Sequence, residues 1–145
     1  LIIEGVMKSI VLPIIIAISA SGCASTYSQF SDKSLAESQF AKLRPLKTAD
    51  GWTPMIQSYA LTGKSVERKN WVQLGSAVSD APASANMLPG EYLFMFQCRT
   101  GGAFAMPMVE VKLEAGKVYS SRCFNAGGDK IGVEVKESDI GSVEN

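Results

Sequence analysis

Alternation of apolar residues with charged ones or glycine, at two places in the second half of the chain, restricts what this sequence can fold into. Val109, Val111 and Leu113 alternate with Glu110, Lys112 and Glu114, and Ile131, Val133 and Val135 alternate with Gly132, Glu134 and Lys136. Successive side chains of a strand point to opposite faces, so each run offers one wet face and one face for a core. Residues 92–96 are apolar at every position, which suits an interior strand. Further strands are expected over 55–61, 71–78, 90–98 and 117–124, with a short one over 41–46. Gly63, Gly90, Gly116 and the pair Gly127 and Gly128 punctuate these runs. Short strands with glycine-containing turns at roughly ten-residue spacing predict an all-β domain, a single antiparallel β-sandwich of about seven strands over 40–145.

The first residues follow different rules. Met7 and Lys8 make a short basic start, and residues 10–20 form an apolar stretch interrupted only by Pro13 and Ser19. A spanning helix needs roughly 20 apolar residues, so this shorter stretch fits the apolar region of a secretory signal. Met7, followed at once by lysine, is the expected initiator, and residues 1–22 are expected to be a signal peptide lying outside the fold. Ala20, Ser21, Gly22 and Cys23 resemble the signal of bacterial lipoproteins, which ends in small residues directly before a cysteine. The resemblance implies diacylglycerol on the Cys23 thiol, cleavage before it and acylation of the new amino terminus. Leucine is commoner than alanine at the position of Ala20 in that family. Ala24, standing where an aspartate would imply the inner membrane, points to the outer one. Each buried methylene contributes about 0.8 kcal/mol, so one chain binds marginally whereas three hold durably.

Residues 24–39 are rich in serine and other polar groups and read as a tether, about 20 Å long on average if flexible. A short helix from an Asp32 cap through Leu35, Ala36, Phe40 and Leu43 is the competing reading. The whole chain carries 14 basic and 14 acidic residues. Loss of residues 1–22 removes Lys8 and Glu4, one from each side, so the balance persists. With no basic excess to neutralise phosphates, nucleic acid is not an expected partner.

Cys98 and Cys123 remain after lipidation uses the third thiol, and export to an oxidising compartment makes them an expected disulfide. If 90–98, 109–114 and 117–124 formed a simple meander, the outer strands would lie about 9.6 Å apart, beyond the ~7 Å a bridge tolerates between α-carbons. The bridge therefore requires two sheets, with 99–107 as the expected crossing between them. Leu88, Pro89, Gly90, Glu91 and Tyr92, followed by Glu114, Ala115, Gly116, Lys117, Val118 and Tyr119, resemble the strand-and-turn pattern of small envelope lipoproteins with immunoglobulin-like or transthyretin-like sandwiches. That resemblance implies a fold and no reaction.

The chain has no histidine, which removes Ser-His-Asp and Cys-His catalysis and the usual zinc ligands. Carboxylate pairs such as Asp80 with Glu91 or Glu134 with Glu137 are explained by solvated turns and strand faces, and Ser65 with Lys64 or Lys69 by a turn. Met106 and Met108, flanking Pro107, together with Met55, Met87 and Met95, offer thioethers suited to Cu(I). Methionine also fills core gaps, and the place of Met95 within an apolar run makes packing the expected role. Trp52, Trp71, Tyr92, Phe94, Phe96, Phe104, Tyr119 and Phe124 are expected to build the core. The segment from Arg99 to Ala105, with Gly101, Gly102 and Phe104, is where an interaction surface would lie. The expectation is a non-catalytic lipoprotein without a cofactor, anchored to the bacterial outer membrane through Cys23. Its domain would face the periplasm as a structural or protein-interaction module with an envelope protein as partner. A module for a small ligand or Cu(I) is the alternative.

Overall fold

A computed structural model describes residues 26–31, 35–62, 70–75 and 81–138. The signal peptide 1–22, Cys23, Asp80 and the Ser65 group lie outside the described residues. Ten strands run through the described part: β1 Thr26–Ser28, β2 Ala41–Leu46, β3 Thr53–Leu61, β4 Val72–Gln73, β5 Ser84–Met87, β6 Gly90–Thr100, β7 Ala103–Ala105, β8 Met108–Leu113, β9 Val118–Gly127 and β10 Lys130–Glu137. They form two sheets. The first has the order β1-β5-β2-β9-β10, and the second β4-β3-β6, with β7 and β8 both laid along the far side of β6.

The all-β, two-layer expectation holds, but the strand count and direction do not. Ten strands are present among the described residues where about seven were expected, and the first sheet is mixed rather than antiparallel. In it β1 runs parallel to β5, and β2 parallel to β9, with Leu43 opposite Tyr119. A parallel neighbour needs a long crossover, and here the connection from β2 to β9 passes through the whole second sheet. An alternation of apolar and polar residues carries no information about direction, which is why the pattern left this unread.

The stretch 24–39 also departs from a free tether in its described part. Thr26–Ser28 joins the first sheet, and Tyr27 packs against the core. Phe30 stacks on Phe40 with ring centroids 5.0 Å apart. Asp32 lies outside the described residues; among those described from Leu35 on there is one 3-10 turn at Glu37–Gln39 instead of a longer helix, and the backbone is extended at Phe40 and through β2. Of the strand expected over 71–78, Val72–Gln73 forms β4 and 76–78 lie outside the described residues.

The core lies between the sheets. Tyr92, Phe94 and Phe96 point inward from β6 and are almost completely buried, as are Leu43, Ile56, Met87 and Leu113. Their rings continue from Tyr59, with centroids 5.7 Å from Tyr59 to Tyr92, 5.6 Å from Tyr92 to Phe94 and 5.8 Å from Phe94 to Phe96. Cys98 on β6 and Cys123 on β9 are bonded across the two layers, with α-carbons 6.0 Å apart. The crossing, however, is not at 99–107. That segment is a hairpin: Gly101 adopts a left-handed φ of 44°, and Ala103–Ala105 returns along β6. The chain changes sheet at Glu114–Lys117 instead. There the Gly116 N–H donates to the Phe40 carbonyl at 2.9 Å, and the Glu114 N–H donates to the Tyr119 hydroxyl at 2.9 Å. Both bonds hold the four-residue turn to the first sheet, since Phe40 leads into β2 and Tyr119 lies on β9.

Candidate functional site

Two features of the surface go beyond packing. The first is a knot of tyrosines where the N-terminal strand meets the second sheet. The Tyr27 and Tyr59 hydroxyls lie 2.9 Å apart. The Leu88 N–H donates to Gln29 Oε1 at 2.8 Å, which orients that amide. The Tyr92 hydroxyl has two acceptors, Gln29 Oε1 at 2.9 Å and the Leu88 carbonyl at 2.7 Å, and one proton to give. A cavity of about 200 Å³ beside this knot is lined by Gln29, Tyr59, Leu61, Asn70 and Val72. Tyr27 and Gln29 were missed from sequence because a serine-rich stretch resembles a linker; the aromatic at 27 was the available signal.

Burial raises the pKa of both Tyr59 and Tyr92, and the Tyr27 hydroxyl raises Tyr59 further. The sign of the consequence follows from linkage. An acid whose folded pKa lies above its unfolded value contributes stability below the ordinary tyrosine pKa of 10.0, and that contribution is lost as pH rises past it. Denaturation midpoints are expected to hold steady up to about pH 10 and to drop beyond it, with a smaller drop in Tyr59→Phe. A midpoint that stays level to about pH 11 would contradict this.

The second feature is the outer face of the second sheet. Met95 pairs with Met108, and Arg99 with Phe104. These two ladders share one register, so Gln97 stands opposite Met106 and Phe96 opposite Pro107, across the short break between β7 and β8. The break has a simple cause: the Phe96 N–H donates to the Pro107 carbonyl at 2.9 Å, but proline has no N–H to return. Tyr92, Phe94 and Phe96 face the core, so residues 93, 95, 97 and 99 lie on the other face together with 104, 106 and 108, where Gln97 is nonetheless buried. Met55 joins them from β3, opposite Gln97. Met95, expected in the core, is thus half-buried on the outside, and Met106 and Met108 are 42% and 55% exposed. Met87 is the buried core methionine. Phe104, at the hairpin tip, is 61% exposed rather than part of the core. Sequence alone missed this gathering because it depends on the pairing register.

The remaining expected residues are spoken for. Glu134 accepts a hydrogen bond from Arg122 at 2.9 Å, Glu137 pairs with Lys117 at 3.2 Å, and Glu91 is exposed. Two carboxylates, from Glu114 and Glu137, push the Lys117 ammonium up to about 12. Cys98 and Cys123 are sealed in the bridge and fully buried. Among the described residues no three His, Cys, Asp or Glu side chains gather as a metal site, and no helix is long and apolar enough to cross a membrane. No protein-family model, curated protein or solved structure matches the chain.

Proposed function

We propose that this is a lipid-anchored protein of a bacterial outer membrane, held through Cys23, whose domain is a non-catalytic module that grips another envelope protein. The anchor is supported by the small residues before Cys23 and the apolar stretch preceding them. The observation that carries the binding role is Phe104: a large aromatic, 61% exposed, held out on the β6–β7 hairpin beside Gly101 and Gly102. Across the ladder it faces Arg99, and with Ala103 these residues line a shallow depression of about 190 Å³. Aromatic and arginine side chains dominate binding energy at protein interfaces, and a hairpin holds them at little entropic cost. The partner that fits offers an apolar pocket for the Phe104 ring.

Two measurements on protein expressed in cells test this. Intact mass should show residues 1–22 removed and acyl chains on Cys23; an unmodified thiol overturns the anchor. A photo-crosslinking residue at position 104 should give one discrete adduct that untagged wild-type chain competes away, while the same residue at exposed Lys136 gives none. Absence of an adduct from position 104 overturns the binding role.

A further inference from the structure

We infer that Met95, Met106 and Met108 form a Cu(I) site on the outer face of the second sheet, independent of the protein-binding reading above. The argument rests on ladder geometry. Antiparallel pairs alternate between those that exchange backbone hydrogen bonds and those that do not. The bond from Phe96 to the Pro107 carbonyl marks Phe96 and Pro107 as a bonded pair. Met95 and Met108, one step along, are therefore a non-bonded pair, the kind whose side chains approach more closely. Directly opposed Cβ atoms lie about 5 Å apart and diagonal ones about 7–8 Å, which sets the separations of Met95 from Met108 and from Met106. Met106 and Met108 are alternate residues of one edge and lie about 7 Å apart. Each sulfur sits two bonds beyond Cβ on a freely turning chain, so one ion above the triangle is within reach of all three.

The chemistry selects the metal. Thioethers are soft, neutral donors that favour Cu(I) over Zn(II), Cu(II) or hard cations. The chain has no histidine, and the thiols of Cys98 and Cys123 are consumed in their bridge, so the harder oxygen donors of this face, Glu110 beyond Met108 and Gln97 opposite Met106, suit Cu(I) less well than the three thioethers do. Two of the three thioethers are exposed, leaving a path for entry. A purely structural role accounts poorly for large flexible apolar side chains held out at alternate positions of an edge strand, since such a stripe stabilises little and invites association. Thioethers also carry no proton to displace, so the metal bonds themselves should not change with acidity, unlike those of carboxylate or imidazole sites; the charged groups sharing this face are Glu110 and Lys112 beyond Met108 and Arg99 opposite Phe104.

The test is titration of the full protein with Cu(I) supplied as its acetonitrile complex, in competition with a chromogenic Cu(I) chelator. One ion per chain is expected, with equal affinity from about pH 5 to pH 8. Met106→Leu with Met108→Leu keeps apolar volume and should weaken binding by more than about 100-fold, whereas Met87→Leu in the core should leave it unchanged. As a reading that needs no variant, Ag(I) should shift the methyl NMR signals of Met95, Met106 and Met108 and leave Met87 in place. Failure to compete with the chelator, undiminished binding in the double variant, or an Ag(I) response confined to other methionines overturns the site. None of these outcomes depends on a protein partner, so this inference and the binding role of Phe104 stand or fall separately.

Discussion

Phe94→Ala is expected to cost about 3–5 kcal/mol, close to the limit a domain of this size tolerates. The ring is completely buried, and its neighbours are other rings: Tyr92 at 5.6 Å, Phe96 at 5.8 Å and Tyr59 at 6.0 Å. Truncation there removes a large apolar area and leaves a void that stiff aromatic neighbours, held at fixed places on two strands, fill poorly. Phe104→Ala supplies the contrast, because its ring is mostly in water and its loss should change stability by less than about 0.5 kcal/mol. Denaturant unfolding of the two variants reads both numbers. Equal costs for the two would show that the inward and outward faces of β6 and β7 are wrongly assigned.

Replacing both bridge cysteines by alanine is expected to lower stability by about 3.5 kcal/mol in the chain-entropy account, given their sequence separation of 25. The bond matters beyond that figure because it joins β6 directly to β9, two strands of opposite layers that the chain connects only by way of β7, β8 and the Glu114–Lys117 turn. Both sulfurs are shielded, so a reductant should act slowly on the native protein and quickly once denaturant opens the layers. An unchanged midpoint for the double variant, or a fast reduction in native buffer, would contradict the described arrangement.

How much of this was legible depended on what each signal records. Val109, Val111 and Leu113 announced β8 because one face of that strand is wet, and Ile131, Val133 and Val135 announced β10 for the same reason. The bridge was expected from the two cysteines left over in a chain read as exported, and the distance a bridge tolerates then required two layers. The place of the crossing was not, because a nine-residue loop and a two-residue glycine hairpin followed by a proline-broken strand read alike in composition. β5, Ser84 to Met87, is short and built of small or polar residues, and β1 hides among serines. Both form because a neighbour offers backbone partners, which no local pattern records. The outward methionines were legible as residues but not as a group: 55, 95, 106 and 108 meet only once three strands are in register.

The early entry of the chain into the first sheet has a geometric outcome for the lipid anchor proposed at Cys23. Thr26 is already paired with Ser84, and Cys23 stands only three residues before it. Fully extended, such a leash reaches about 10 Å, little more than the headgroup layer of one leaflet. An acylated Cys23 would then moor the β1 edge against the lipid, leaving the protein free to swivel but not to rise, so whatever meets it must come down to the bilayer surface.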